Sequence, residues 1–131
     1  MASFDLAGKR IWVAGHRGMV GAALCRRLEA EPVTILTADR RDVDLRRQSE
    51  VEAWLEATRP DAILLAAAKV GGIVANDREP ATFLYDNLAI EANVIHAAHA
   101  VDVAKLVFLG SSCLYPKFAE QPIREEALLT G

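Results

Sequence analysis

The sequence predicts an α/β fold in which helices cover both faces of a doubly wound parallel sheet. Two observations lead to this prediction. Short apolar runs alternate with longer helix-compatible segments along the 131 residues, and continuous apolar strands are typical of a parallel sheet that is buried on both faces. The first apolar run ends at three glycines spaced by three, Gly15, Gly18 and Gly21, as expected where a strand turns tightly into a helix.

Each element has its own signal. Strands are predicted where apolar and β-branched residues cluster, at 9–15, 33–38, 61–67 and 105–109. Helices are predicted over 19–30, 50–57 and 80–100, with polar loops at 42–47, at 69–77 and from 110 onward. Ser49 is the expected N-cap of the second helix, with Glu52 at the capping-box spacing, and this helix should stop before Pro60.

Composition and charge exclude several classes of protein. The net charge of −3 gives no general attraction to nucleic acid or to an anionic membrane, and charges interrupt every apolar stretch before it reaches membrane-spanning length. Cys25 and Cys113 lack the tight spacing of a zinc site or a disulfide scaffold, so we expect no metal and a reducing, cytoplasmic environment. A length of 131 residues corresponds to a single domain, 1–131.

Right-handed crossovers limit the order of the strands. We expect the Rossmann-type order 3-2-1-4, which places the fourth strand beside the first, with ligands bound at the carboxyl ends of these two strands. The glycine turn and the segment 110–113 would then face the same crevice. Sheets of this kind usually continue for two or three further strands, so we expect an incomplete sheet from the N-terminal part of a longer enzyme.

The glycine turn is a candidate phosphate site. Backbone N–H groups at the start of a helix, together with the helix dipole, attract a pyrophosphate, and glycine lets its oxygens approach the backbone. An ordinary strand-to-helix turn without a ligand is the competing interpretation. The candidate cofactor-binding residues here are Gly15, His16, Arg17, Gly18, Met19, Val20 and Gly21.

The end of the second strand carries conflicting signals about the cofactor. An acidic side chain at this position accepts a hydrogen bond from the 2′-hydroxyl of an adenosine ribose, whereas an arginine suits a 2′-phosphate. Asp39 therefore favours NAD and Arg40 favours NADP. Asp44 and Leu45 follow at a distance suited to contact with the adenine.

Two further segments follow strands three and four. Ala66, Ala67 and Ala68 are small enough to let a cofactor lie close, although tight packing of a helix on the sheet explains them equally well. Near the nicotinamide we expect Leu109, Gly110, Ser111, Ser112 and Cys113. A serine hydroxyl can hydrogen-bond a substrate carbonyl oxygen, and a cysteine can transfer a proton when its pKa is tuned; an inert thiol is the alternative for Cys113.

Three stretches together resemble one family. They are the glycine turn, the segment Ala-Ala-Ala-Lys-Val-Gly-Gly-Ile-Val-Ala-Asn (66–76) and the segment Leu-Gly-Ser-Ser-Cys-Leu-Tyr-Pro-Lys (109–117). They closely resemble the GDP-L-fucose synthases, which are epimerase/reductases of the extended short-chain dehydrogenase/reductase family. The resemblance runs along nearly the whole chain, and its second and third stretches are far more specific than its first.

The resemblance implies a function. It implies proton exchange at carbons 3 and 5 of GDP-4-keto-6-deoxy-D-mannose and reduction of carbon 4 by NADPH. Cys113 matches the family's proton-transferring cysteine, Ser111 the serine that polarises the ketone, and Arg40 the residue on the 2′-phosphate. It also implies a homodimer in which the helix at 80–100 contributes to a four-helix bundle.

One departure from the family is serious. The family's tyrosine-x-x-x-lysine pair has no match, because Ala89 and Ala119 lie four places after Tyr85 and Tyr115, the only tyrosines. We therefore expect the chain alone to be catalytically incompetent. Two alternatives remain: a stand-alone NADP-binding module, and another NAD(P)-dependent sugar-nucleotide epimerase or dehydratase.

Overall fold

A computed structural model describes residues 4–131 of the chain. Its sheet has four parallel strands, Arg10–Ala14 (β1), Thr34–Leu36 (β2), Ala62–Leu65 (β3) and Lys105–Phe108 (β4). Four helices accompany them, Met19–Leu28 (α1), Gln48–Thr58 (α2), Ile73–Arg78 (α3) and Pro80–Ala100 (α4). Two short 3-10 turns follow β4, at Ser112–Leu114 and Glu125–Ala127.

The predicted fold class is confirmed, because helices pack on both faces of the parallel sheet. On one face, Ile11 and Val13 of β1 pack with Leu28 of α1. On the other face, Trp12 and Ala14 join the buried side chains of α2 and α4. Successive residues of a strand point to opposite faces, so this apolar run fills both cores at once.

The predicted strand order is wrong in one respect. The observed order is β2-β1-β3-β4, so β3 rather than β4 lies beside β1. The predicted order places β3 on the outer side of β2. In the structure the polar segment 37–47 forms turns, and the chain returns through α2 to the side of β1 that faces away from β2. The third strand therefore occupies the place expected for the fourth, and β4 lies one strand further out. All four carboxyl ends still meet at the same edge.

Two local predictions are also wrong. The N-cap of α2 is Arg47 and not Ser49, and it makes no side-chain capping bond. Glu50 instead accepts the Asp44 N–H at 2.7 Å, which orders the chain just before the helix and starts it earlier than expected. The segment 69–77, predicted as a loop, contains most of α3, a helix of six residues with no buried side chain. The remaining element boundaries agree with the prediction to within a few residues.

The structure gives two further observations on residues 4–131. None of their helices combines the length and the apolar character that crossing a membrane requires. Within the same range, histidine, cysteine and acidic side chains form no group of three suited to holding a metal ion.

Candidate functional site

A cleft of about 700 Å³ opens at the carboxyl edge of the sheet. The glycine turn, the segment after β2, the segment after β3 and the first half of α4 form its walls. Ten of the residues predicted to bind a cofactor line it: Gly15, Gly18, Met19, Val20, Arg40, Asp44, Leu45, Ala66, Ala67 and Ala68. Those that do not line it are His16, Arg17, Gly21 and the segment from Leu109 to Ser112, and the predicted catalytic Cys113 does not line it either.

The glycine turn brings three backbone segments into contact. Gly15 has a φ of +90°, and a Cβ at this position would lie 2.7 Å from the Ala67 nitrogen. A Cβ on Gly21 would overlap the Gly15 carbonyl oxygen. The end of β1, the segment after β3 and the first turn of α1 therefore pack as closely as glycine allows.

The N-terminus of α1 has the properties of an anion site. Gly18 is its N-cap and makes no side-chain capping bond, and the first turn contains no acidic residue. The Gly18 N–H donates to the Gly15 carbonyl at 3.0 Å. Met19 and Val20, which follow, line the cleft. Their N–H groups belong to the helix start that lacks intrahelical acceptors, so the helix dipole and these donors favour a phosphate.

Asp39 links the end of β2 to the glycine turn. Its Oδ1 lies 3.0 Å from Arg17 Nε and 3.6 Å from His16 Nε2. The other ring nitrogen of His16, Nδ1, is buried without a hydrogen-bond partner among the described residues. Asp39, the acidic residue expected to meet the ribose, thus holds the predicted cofactor residues His16 and Arg17 beside the cleft.

A second charged network joins the cleft wall to α4. Arg46 donates to both carboxylate oxygens of Asp44, at 3.0 and 2.6 Å, and approaches Asp86 of α4 at 3.4 Å. Hydrogen bonding from the Arg46 side chain lowers the pKa of Asp44 to about 2, and the same bond raises the pKa of the Arg46 guanidinium. Arg40 lies nearby, with Nε 3.8 Å from Asp44 Oδ2, and its side chain is largely exposed. The adenine candidate Asp44 is therefore already paired.

The segment after β3 is anchored to α4 by a reciprocal pair of hydrogen bonds. The Lys69 N–H donates to Asn87 Oδ1 at 2.7 Å, and Asn87 Nδ2 donates to the Lys69 carbonyl at 3.0 Å. The Lys69 ammonium lies over the Phe83 ring, 4.8 Å from its centroid, and 3.2 Å from Glu79 Oε2. These contacts hold the wall formed by the three alanines against the helix.

The predicted catalytic segment lies at the same edge but outside the cleft. The Leu109 N–H donates to the Leu65 carbonyl at 3.2 Å, so the chain leaves β4 alongside the end of β3. Ser111 Oγ accepts the Cys113 N–H at 3.2 Å and caps the short turn that follows. Accepting this bond leaves the hydroxyl proton of Ser111 available to donate. Cys113 is exposed and free.

Sequence reasoning missed part of the cleft. The lining residues it did not predict are Trp12, Ala14, Ala38, Val43, Arg46, Lys69, Val70, Thr82, Asp86 and Ile90. Thr82, Asp86 and Ile90 recur at intervals of four along α4, and this helical spacing is a signal that the sequence did contain. The Arg46–Asp86 contact spans 40 residues and had no local signal.

Comparison with protein families agrees with this geometry. Residues 11–131 match the NAD dependent epimerase/dehydratase family, and this match covers nearly all of the chain. The chain belongs to this family.

Three relatives illustrate the similarity. A GDP-L-fucose synthase of Sinorhizobium fredii is 60% identical over 131 residues, all of this chain and 42% of the relative. A GDP-L-fucose synthase of Escherichia coli is 50% identical over 127 residues, 96% of this chain and 40% of the relative. Among solved structures, a GDP-mannoheptose C4 reductase from Campylobacter jejuni with NADP bound is 36% identical, with a TM-score of 0.88 over 95% of this chain and 40% of that chain.

The chain thus spans about 40% of the length of the curated relatives that it matches. The similarity covers the sheet, the cleft and the segment with Ser111 and Cys113.

Proposed function

We propose that this chain is the NADP-binding domain, 1–131, of an NADPH-dependent epimerase and reductase. The enzyme would convert GDP-4-keto-6-deoxy-D-mannose to GDP-L-fucose. The observation that carries the proposal is the cleft at the carboxyl edge of the sheet, which begins at an uncapped helix N-terminus lined by glycine. Two relatives named GDP-L-fucose synthase, at 60% and 50% identity, support the choice of substrate.

The cleft residues fit a dinucleotide. A Cβ at Gly15 or Gly21 would strike backbone, so glycine at these positions lets β1, the segment after β3 and α1 pack closely around the turn. The N–H groups after Gly18 at the start of α1 favour an anionic ligand. Leu45 and the three alanines offer apolar contact for the adenine and the riboses. Arg40, next in the chain to the Asp39 that pairs with Arg17, offers charge for a 2′-phosphate. Bound NADPH would supply the hydride for carbon 4 of the sugar.

The chain's own residues would assist the chemistry at the substrate. The C–H groups at carbons 3 and 5 flank a ketone, so their protons are acidic, and the exposed Cys113 would transfer a proton on one face of the sugar. Inversion also needs a second group that exchanges a proton on the opposite face. The Ser111 hydroxyl would donate a hydrogen bond to the ketone oxygen as negative charge develops there. The hydrogen bond that Ser111 Oγ accepts from the Cys113 N–H would hold the side chains of Ser111 and Cys113 in one short turn.

Binding and turnover test different parts of this proposal. Titration of NADP⁺ into the chain, followed by calorimetry, should give a Kd below about 1 mM, whereas Gly15→Ala should weaken it at least tenfold. Absence of binding would contradict the proposal. Because no tyrosine has a lysine four places on, we expect no reduction of the keto sugar by the isolated chain; binding alone is also what a stand-alone NADP-binding module would show.

Adding the missing catalytic pair discriminates between the enzyme and the binding module. We expect that the chain, joined to the remaining part of the Sinorhizobium fredii relative, oxidises NADPH when the keto sugar is present. Cys113→Ser in the joined protein should abolish solvent deuterium uptake at carbons 3 and 5 while NADP⁺ binding stays within about twofold. Binding without turnover in the joined protein would favour the module.

A second candidate is a different sugar-nucleotide reductase of the same family. The observation that favours it is the Campylobacter jejuni GDP-mannoheptose C4 reductase, which shares the sheet at a TM-score of 0.88. The two candidates differ in their sugar, so the chain should be joined in turn to the remaining part of the Sinorhizobium fredii relative and to that of the Campylobacter jejuni reductase, and each joined protein offered its own keto sugar. A higher kcat/KM for the heptose substrate would favour this second candidate.

We also propose that α4 pairs two copies of the chain. Leu84, Leu88 and Ile95 lie on one side of this helix with 63%, 55% and 46% of their surface exposed. Exposed apolar side chains in a row are typical of an interface. Sedimentation should show a dimer that Leu88→Glu converts to a monomer. A monomer in both cases at high concentration would contradict the pairing.

A further inference from the structure

We infer that Asn93 is a positioning residue for the cleft, because from α4 it holds Leu45 where the adenosine half of a dinucleotide would lie. This inference rests on the proposed function, since it requires a dinucleotide in the cleft. It goes further by assigning a role to a side chain that does not itself line the cleft.

A hydrogen bond joins Asn93 to the cleft wall that follows β2. Asn93 Nδ2 donates to the Leu45 carbonyl at 2.9 Å, and the two residues are 48 positions apart in the chain. A carbonyl oxygen can only accept, so the amide must present its nitrogen to it. Both residues are half-buried. Without this donor, a partly buried carbonyl would lose its hydrogen bond, and the wall would be free to shift.

Leu45 faces the cleft and α4 at the same time. Its side chain lines the cleft and packs against the core that α2 and α4 share, whereas its carbonyl is held by Asn93. In dinucleotide-binding sheets, the segment that follows the second strand meets the adenosine ribose. A shift of Leu45 would therefore move apolar surface away from the adenosine half of the ligand.

Asn93 extends a contact that Asp86 begins. The two residues are seven positions apart, about two helical turns, so their side chains lie on the same side of α4. Asp86 lies 3.4 Å from the guanidinium of Arg46, the residue next to Leu45. Helix α4 thus holds two successive residues of the wall, one through its side chain and one through its backbone. A wall that is fixed before the ligand arrives lowers the ordering cost of binding.

The first test is calorimetric titration of two ligands into the chain. They are NADP⁺ and 2′,5′-ADP, which contains the adenosine and the 2′-phosphate alone. Asn93→Leu keeps the shape of the side chain but removes the donor, so it should raise both Kd values by about fivefold. The factor should be the same for both ligands, because they share the adenosine. Asn93→Ala serves if Asn93→Leu does not fold, as judged by circular dichroism.

The matched control is Val94→Ala. Val94 is the next residue of α4, is fully buried in the core and does not line the cleft. Its truncation leaves a cavity, so it should lower the urea midpoint of unfolding at least as far as Asn93→Leu does. Both Kd values should nevertheless stay within about twofold of the wild-type values, because the wall keeps its hydrogen bond.

A second readout uses the chain joined to the remaining part of the Sinorhizobium fredii relative. The adenosine half of NADPH lies far from the hydride that is transferred. Asn93→Leu should therefore raise the KM for NADPH by about fivefold and leave kcat within about twofold. A fall in kcat of more than about fivefold at unchanged KM would place the effect at the reacting centre and would overturn the inference.

The possible outcomes separate the two proposals. Failure of the wild-type chain to bind NADP⁺ would overturn the proposed function. Three results would overturn only the role of Asn93: Kd values that Asn93→Leu leaves within about twofold, different factors for the two ligands, or an equal rise in Val94→Ala.

Discussion

The amino and carboxyl edges of the sheet are formed by the same strands but end in opposite ways. At the amino edge, the Asp61 carboxylate accepts hydrogen bonds from the Arg10 N–H at 2.8 Å and from the Lys9 ammonium at 3.2 Å. The Asp61 backbone carbonyl accepts the N–H groups of Ala104 and Lys105, where β4 begins. At the carboxyl edge, the strands lead into Gly15, small alanines and an uncapped helix. One edge satisfies its polar groups internally, and the other leaves donors free for a ligand. This difference supports the proposal that a ligand binds at the carboxyl edge.

A pair of glycines tests this difference most directly. Gly15 at the carboxyl edge and Gly8 at the amino edge both have a positive φ, but only Gly15 has backbone atoms where a Cβ would lie. Gly15→Ala should lower the free energy of unfolding by about 3 kcal/mol or more, because strain and a backbone clash add. Gly8→Ala should lower it by about 1 kcal/mol through strain alone.

Urea unfolding followed by tryptophan fluorescence measures both losses, because Trp12 and Trp54 pack together in the core with ring centroids 6.0 Å apart. Equal losses would mean that the ends of β1 and β3 separate without cost. The close approach of backbone at the glycine turn would then not be a fixed feature of the carboxyl edge.

The next effect comes from the network that holds the cleft wall to α4. Arg46→Met should lower the free energy of unfolding by about 2 kcal/mol, since it leaves Asp44 and Asp86, both mostly buried, without their shared cation. Arg47→Met is the matched control, because within residues 4–131 the exposed Arg47 forms an ion pair only with Glu50. It should cost less than about 0.5 kcal/mol.

The pH dependence of stability gives the same network a second test. The pKa of Asp44 is about 2 in the folded chain, below its ordinary value of 3.8. Its stabilising contribution is therefore complete above pH 3.8 and is lost as the pH falls towards 2. Unfolding midpoints measured across this window should fall less steeply in Arg46→Met than in the wild-type chain. Parallel curves would contradict the assigned pairing.

A smaller effect is expected from the amino edge. The Arg10 N–H, followed by Lys9, holds the pKa of the Asp61 carboxyl below its ordinary value. Asp61→Asn keeps an acceptor for Arg10 but loses the charge opposite Lys9, so we expect a loss of about 0.5–1 kcal/mol. The Kd for NADP⁺ should not change. A change above about threefold would show that the two edges are not independent.

The smallest effect is expected at Ser111. It is exposed, and its hydroxyl oxygen accepts the N–H of Cys113. Ser111→Ala should alter the free energy of unfolding by less than about 0.5 kcal/mol and the Kd for NADP⁺ by about twofold to threefold. A larger rise in Kd would indicate that this segment closes over the cofactor more tightly than the cleft geometry suggests.

Local signals account for the parts of the fold that were predicted correctly. The helix over 80–100 was predicted with its observed bounds, because Pro80 suits the first helical turn. The glycine turn was placed between β1 and α1, because glycine spacing after an apolar strand is a local pattern. By contrast, α3 has no buried residue and therefore no apolar period to detect.

Non-local packing decides the parts that were missed. The strand order depends on which side of β1 the chain returns after α2, and the turns at 37–47 that decide this carry no distinctive motif. Likewise, Arg46 reaches Asp86 and Asn87 reaches Lys69 only once α4 packs across the sheet. Each residue type was visible in the sequence, but its partner was not.

Helix α4 has one further geometric consequence. Thr82, Asp86 and Ile90 line the cleft, while Leu84, Leu88 and Ile95 are exposed. At about 100° per residue, the centres of these two stripes are half a turn apart around the helix axis. If two copies meet through the outer stripe about a twofold axis, their nucleotide clefts must open in opposite directions, and each copy would bind its coenzyme on the far side from its partner.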